Sequence, residues 1–352
     1  MSCDSRRNLR PRQPHQENIP SQRKTFVFTL FFYANPRQIA PSAYLGQFMP
    51  NIKIALGLWP IAGITTVGVS TKDAEHTVIA AIDSGITTFD TAFSYGYEGE
   101  SDRILGSQIK HHREQYTIIG KVGQRWNSHR DRVIDGSRQS LIADAETSLR
   151  RMNVDYFDLL MLHSPDPNVA LEDSAETIAF LQQRGLCHRT GICNVDTQQL
   201  IKFQNILKCD AIQCPLNLIQ RESMYHLVPH CQNTEVNIYA FWTLMKGLLA
   251  GKINRDHQFA EGDSRPGYPI FQGSARERAH QIVDGMRRLG EEANLTTAQL
   301  AIGWVLSQPG ISMALVGGHT PSQIRETALA RPLPPVLCNA VDRLVLDSDG
   351  RS

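Results

Sequence analysis

The chain has no excess of either charge. Its 36 Lys and Arg are interspersed with 35 Asp and Glu over 352 residues, so no basic stripe invites nucleic acid and a small-molecule task is the better reading. Paired cysteine spacing is also missing. The seven cysteines are an odd number without a C-x-x-C, and Cys187, Cys193 and Cys214 lie in apolar runs, so they read as reduced, buried thiols of a cytoplasmic protein. The apolar run "TFVFTLFFYA" is too short to span a bilayer. It comes after a basic stretch carrying Arg6, Arg7, Arg10, Arg12, Arg23 and Lys24, the outline of an export signal, but no small-x-small cleavage site is present in "YANPRQIAPSA". Residues 1–50 are therefore read as a poorly ordered tail, with Met49 as a candidate start.

From about residue 51 the chain alternates in a regular way. "NIKIALGL" reads as a strand, "TKDAEHTVIAAIDSG" as a helix capped by Thr71 and ended by Gly85, and "ITTFDTA" as a second strand. Strand-like runs recur in "YTIIGKVG", "YFDLLMLH", "HRTGICN", "DAIQCPLN", "NIYAFWTL" and "ISMALVGG", each followed by a helical pattern. They are short and nearly continuous in apolar residues, as parallel strands covered on both faces must be. Eight such units predict an α/β fold of the closed (β/α)₈ type over residues 51–335, with 336–352 as a C-terminal tail. An open doubly wound sheet needs a glycine fingerprint after its first strand, which "LGLWPIAGITT" lacks.

A barrel places chemistry at the C-terminal ends of its strands. Asp90 ends the second strand, Tyr95 lies in the loop after it, Lys121 ends "YTIIGK" and His163 ends "LLMLH". Singly, each has a duller explanation: a turn acid, a half-buried aromatic, a Schiff-base lysine, a satisfied core histidine. Four at one rim suggest acid/base work at a carbonyl. The expected arrangement has Lys121 lowering the pKa of the Tyr95 phenol, Asp90 holding Lys121, and His163 orienting the substrate oxygen. His226 and His230 stand at i,i+4, but Pro229 interrupts the turn and no third ligand is evident, so no metal is expected.

The spacing in "FDTAFSYG", the lysine of "IIGKVG" and the run "SLRRMNVDYFDLLMLHSPDP" resemble the aldo-keto reductases, from about residue 53 to about 332. The resemblance implies a nicotinamide-dependent oxidoreductase in which Asp90, Tyr95, Lys121 and His163 form the catalytic tetrad. It implies cofactor contacts at Cys193 (in the place of the usual serine), Asn194 and Gln213. Further contacts fall at Phe241, Trp242 and Thr243, where the family has tyrosine, serine and proline, and at Gly247, Leu248 and Lys252. In "VGGHTPSQIRETALA", Gly318, Gln323 and Glu326 match, while His319 replaces an arginine for the 2′-phosphate and Thr327 an asparagine. NADP(H) is preferred over NAD(H) by this resemblance. A histidine, mostly neutral at pH 7, makes no bidentate fork to phosphate.

Substrate choice falls to variable loops, where Trp59, Phe93, Tyr97 and Trp126 are candidates for an apolar wall and Arg125 and Arg265 for an anion. The expected reaction interconverts a small aldehyde or ketone, aldose-like or xenobiotic, and its alcohol. The alternative is a nicotinamide-binding sensor with little turnover. Neither a membrane nor a nucleic acid is expected as a partner.

Overall fold

In the computed structural model, which describes residues 52–63 and 68–348, the predicted alternation closes on itself. Residues 1–51, with the basic and apolar segments and Met49, lie outside the described residues, as do 64–67 of the first loop. The order is β1 (Ile54–Gly57), α1 (Thr71–Asp83), β2 (Thr88–Asp90), α2 (Glu100–Ile109), β3 (Thr117–Val122), β4 (Gln124–Trp126), β5 (Arg132–Ile134), α3 (Arg138–Met152), β6 (Phe157–Leu162) and α4 (Leu171–Gln183). It continues with β7 (Cys187–Cys193), α5 (Thr197–Gln204), β8 (Ala211–Pro215), α6 (Leu227–Asn233), β9 (Asn237–Phe241), α7 (Gly273–Ala293), α8 (Thr297–Ser307), β10 (Ile311–Val316), α9 (Pro321–Thr327) and α10 (Pro335–Ser348). Eight parallel strands form a closed barrel in the order β1-β10-β9-β8-β7-β6-β3-β2, with β2 pairing back to β1. This is the (β/α)₈ fold.

Local chemistry sets the helix ends. Capping boxes start α1 (Ser70 with Asp73), α5 (Asp196 with Gln199) and α8 (Thr296 with Gln299), each satisfying backbone donors at a helix start. The cap of α1 is thus Ser70, not Thr71, because the serine oxygen one residue earlier reaches the Asp73 amide at 3.1 Å. Asn153 and Asn294 turn the chain left-handed after α3 and α7.

Alternation along each strand sorts side chains into two cores. Ile118, Leu160, Leu162, Ile212 and Ile238 face the helices in the larger cluster. Ala55, Ile119, Leu159, Met161, Ala211, Tyr239 and Leu315 form a smaller cluster that fills the barrel. Close approach requires glycine at Gly191, where a Cβ would stand 2.3 Å from the Ala211 carbonyl, and at Gly120, where it would stand 2.3 Å from the Phe157 ring.

Three segments differ from expectation. Part of the loop after β3 is an antiparallel hairpin, β4 with β5, pairing Trp126 with Arg132. Residues beyond 335 are not simply a tail, since Pro335–Ser348 is helical with Val341 and Val345 buried. Asp342 secures α10 by accepting from Trp304 Nε1 at 2.9 Å and pairing with Arg221 at 2.8 Å. The predicted "NIYAFWTL" strand stops at Phe241 because Trp242 adopts a left-handed backbone (φ 56°).

Behind the end of β2, fully buried Asp102 accepts from Thr91 Oγ1 and Ser148 Oγ, each at 2.7 Å, tying α2 and α3 to the segment that carries the site. Burial pushes its carboxyl up to about 6 from 3.8, against the pull of those two hydroxyls. The native state therefore keeps a proton that the unfolded chain releases, and the contribution of this carboxyl to stability falls as pH rises from about 4 through 6, by on the order of 3 kcal/mol. Asp102→Asn is expected to gain stability at pH 7 relative to pH 4 when compared with the native chain in urea unfolding. The same difference between pH 4 and pH 7 in both proteins contradicts the assignment.

Candidate active site

The inward face of each strand, traced past the filling cluster, turns polar. Asp90 pairs in register with Ile119, and Lys121 comes two residues after Ile119 beside Met161. By the same two-residue period His163 follows Met161, Gln213 follows Ala211 and Phe241 follows Tyr239, while Cys193 pairs with Gln213. Asp90, Lys121 and His163 of the sequence-predicted tetrad and part of the cofactor set thus share one layer at the C-terminal mouth, and Tyr95 joins them from the loop after β2.

Lys121 organises that layer. Its ammonium donates to Asp90 Oδ1 at 2.6 Å, to the Thr91 carbonyl at 3.1 Å and to the Tyr95 hydroxyl oxygen at 3.2 Å. An ammonium has three protons and no acceptor, so all of its donors are engaged. Gln213 Nε2 donates to the same Asp90 oxygen at 2.6 Å, and the carboxylate and ammonium are both almost wholly buried. The Tyr95 ring meets His163 edge-on at 5.8 Å.

Burial dominates the protonation states. It disfavours the Lys121 ammonium, but the Asp90 charge and then Tyr95 outweigh it, so the lysine pKa rises above its ordinary value. At Tyr95 burial pushes the phenol up to about 12; Lys121 pulls down and Asp90 pushes up. The expected net lowering by Lys121 is therefore not what the geometry produces, because desolvation of the phenolate exceeds the ammonium's attraction. Burial, Lys121 and Arg132 hold His163 well below 6.5, leaving a neutral imidazole whose Nδ1 is buried without a partner. Cys193 is a thiol with its pKa pushed up to about 12 by burial, 3.8 Å from Gln213 Oε1.

The predicted cofactor residues line the other half of the rim. Asn194, left-handed at φ 57°, donates to the His163 carbonyl at 2.9 Å, and Gln213 donates to Asp90. With both amide nitrogens committed inward, Asn194 Oδ1 and the second lone pair of Gln213 Oε1, whose first takes the weak Cys193 thiol, remain as acceptors, a set suited to the NH₂ of a carboxamide. Phe241 packs on the barrel-filling cluster, and Trp242 is 37% exposed with its ring edge-on to Phe241 at 5.5 Å, so it does not plug the barrel. Lys246 and Gly247 come next with φ of 54° and 92°, and the lysine ammonium lies 4.5 Å over Trp242 and 4.0 Å over Tyr268.

Other members of the predicted set are occupied. Leu248 is fully buried with Ile253, Phe271 and Ala279. Thr243 Oγ1 donates to the Leu315 carbonyl at 3.3 Å, and Thr327 bonds back to the Gln323 carbonyl at 3.0 Å inside α9. Lys252 pairs with Glu326 at 2.6 Å. After Gly318, the amide of His319 donates to Gln323 Oε1 at 2.8 Å, and burial followed by Arg265 lowers the pKa of its ring.

Three of the four proposed wall residues come together. Trp59 meets Tyr95 at 5.2 Å and stacks with Trp126 at 6.5 Å, and Trp126 meets Tyr97 at 5.0 Å. Phe93 does not join them; its ring lies under Arg125 and Arg151. Arg125 pairs with Asp144 and Asp135, and Arg265 forks onto Asp263, so both guanidinia are already spent on carboxylates. Sequence reasoning missed Arg130, Arg132 and Lys246, cations on aromatic rings at this mouth. Arg132 could have been found from the turn signal "NSHRD" between the runs "QRW" and "RVI".

The family model described as the aldo/keto reductase family matches residues 53–345. The chain belongs to the aldo/keto reductase family. It is accordingly an oxidoreductase. An aldo-keto reductase of Bacillus subtilis is 32% identical over 278 residues, covering 77% of this chain and 82% of that one. An NADH-specific methylglyoxal reductase of Escherichia coli is 28% identical, covering 79% and 89%. Among solved structures, a glycerol dehydrogenase from Gluconobacter oxydans superposes with a TM-score of 0.77 at 29% identity, covering 84% of this chain and 92% of that one. In this aldo-keto reductase the tightest constraint on the site is the buried charge pair. Asp90→Leu leaves the Lys121 ammonium uncompensated and is expected to cost about 3–5 kcal/mol in urea unfolding, whereas Asp90→Leu with Lys121→Met together cost less than the single change. A double variant as unstable as the sum of its parts contradicts the pairing.

Proposed function

We infer that this chain interconverts a small aldehyde or ketone and its alcohol, using a nicotinamide dinucleotide, with Tyr95 as the general acid in reduction and the base in oxidation. The observation that carries this reading is the committed ammonium of Lys121. Because Lys121 donates to the Tyr95 oxygen and has no acceptor, the phenolic proton must point elsewhere, toward the mouth where a carbonyl oxygen can take it. The phenol is protonated throughout the neutral range, as an acid catalyst must be. When its proton leaves, the phenolate forms 3.2 Å from a fixed positive charge, so the stabilisation is greatest where charge develops. Neutral His163, edge-on to Tyr95, can orient the same oxygen by a hydrogen bond without adding charge.

A nicotinamide held here would supply the hydride for the carbonyl carbon. The acceptor oxygens of Asn194 and Gln213 fit its carboxamide, and the Phe241 ring fits stacking against its face. NADP(H) is the proposed cofactor by family resemblance, with His319 as the residue that sets the margin over NAD(H), since its lowered pKa leaves only a neutral hydrogen bond for a 2′-phosphate. A sensor with little turnover has no use for a proton donor held beside a buried ammonium. Five buried, unpaired cysteines among the described residues support a cytoplasmic setting.

Tyr95→Phe is expected to lower kcat about 10²- to 10⁴-fold while the Kd for NADPH, read by nicotinamide fluorescence, changes less than about twofold. Full activity in that variant, followed at 340 nm with a panel of aldehydes, overturns the role of Tyr95. The same titration run with NADH and with His319→Arg tests the cofactor. The arginine is expected to tighten NADPH binding and leave NADH binding nearly unchanged.

A further inference from the structure

The β4–β5 hairpin rises from the end of β3, three residues after Lys121, and carries an arginine whose only role so far is to help keep His163 neutral. Arg132 is exposed, and its guanidinium lies 4.5 Å above the Trp59 ring and 5.1 Å above the Trp126 ring. Trp59 in turn meets the Tyr95 ring at 5.2 Å. A single indole therefore separates this cation from the proposed proton donor.

Among the described residues, Arg132 has no carboxylate partner and its side chain makes no hydrogen bond. The contrast with its neighbours is sharp. Arg125 on the same hairpin is bound to Asp144 and Asp135, Arg265 across the mouth is forked by Asp263, and Arg113 is paired with Asp158. Adjacent Asp131 is turned away, accepting from Asn127 Nδ2 at 3.2 Å. Stacking on indoles holds the plane of a guanidinium while leaving its N–H edge free, which is the geometry that grips a carboxylate or phosphate with two parallel bonds. The charge is uncompensated at the mouth as well, because Lys121 is already neutralised by Asp90. Arg130 over Tyr97 at 4.6 Å and Lys246 over Tyr268 at 4.0 Å add positive charge along the rim.

We propose that Arg132 is a specificity-determining residue that binds the anionic end of the substrate, so that the preferred substrates are short carbonyl compounds carrying a phosphate or carboxylate. The inference rests on the reading of Tyr95 as the proton donor. The carbonyl oxygen meets Tyr95, the carbon chain crosses Trp59, and the anion meets the Arg132 fork. The anionic group takes no part in the hydride and proton transfers.

The test compares the full chain with Arg132→Met and Arg132→Lys on two matched pairs, glyceraldehyde 3-phosphate against glyceraldehyde and succinic semialdehyde against butanal. The native chain is expected to favour at least one anionic member by about 10-fold or more in kcat/KM. Arg132→Met is expected to erase about 10- to 100-fold of that preference, chiefly through KM, and Arg132→Lys to restore part of it. Preference in one pair alone identifies phosphate or carboxylate as the group bound. No preference in either pair, or an equal loss on charged and neutral members, overturns the inference while leaving the reductase reading intact. If no carbonyl is turned over, the reductase reading fails and the subsite is judged by binding. Saturable quenching of tryptophan fluorescence by inorganic phosphate or succinate, lost in Arg132→Met, sustains it, and identical titrations in both proteins overturn it.

Discussion

A buried ammonium has to be satisfied on every proton, and the site is built around that constraint. Lys121 stands on the inner face of β3, where the neighbouring inward positions are Ile119 and Met161, and removing its charge from water costs several kcal/mol unless partners replace the lost hydration. Asp90, the Thr91 carbonyl and Tyr95 are those partners. Each comes from the end of β2 or the turn after it, so the pairing of β2 with β3 determines whether the lysine is tolerated at all. The same bonds that make the charge tolerable fix the direction of the phenolic proton.

Support for this geometry reaches outward through the fold. Thr91, whose carbonyl receives Lys121, has its hydroxyl held by Asp102 and Ser101 of α2, and Asp102 is also bonded to Ser148 of α3. Gln213 from the far side of the barrel adds a second donor to Asp90. Two helices and three strands therefore converge on one ion pair, which is the kind of support the proposed proton donor needs to keep its place.

Much of this was legible in the sequence because it depends on period and position. A run such as "YTIIGKVG" reads as a buried strand, and a lysine at its end can only be at a barrel mouth once eight such runs are counted. The tetrad residues follow from that reading. What escaped has specific causes. The fall in the Tyr95 pKa expected from Lys121 did not survive, because the extent of phenol burial depends on Trp59 and His163, which are distant in the chain. Arg125 and Arg265 looked available for an anion, but their carboxylate partners Asp144 and Asp263 are revealed only by folding or by a local loop conformation. Arg132 was overlooked because a three-residue strand on each side of a turn carries little periodicity, which leaves the turn residues "NSHRD" as the signal of the hairpin. The helix after 335 shows its spacing of Leu337, Val341, Leu344 and Val345 only when the surface of α7 and α8 that it covers is known.

The most direct measurement is the ionisation of Tyr95 itself. The full chain is labelled with tyrosine carrying ¹³C at Cζ, the resonance is assigned by its absence in Tyr95→Phe, and its shift is followed from pH 6 to pH 10. A phenol that remains neutral to pH 10 is the predicted result, with burial outweighing Lys121 and the acid form available for reduction. A phenolate already present at pH 8 contradicts it, and means that the ammonium rather than desolvation governs the site.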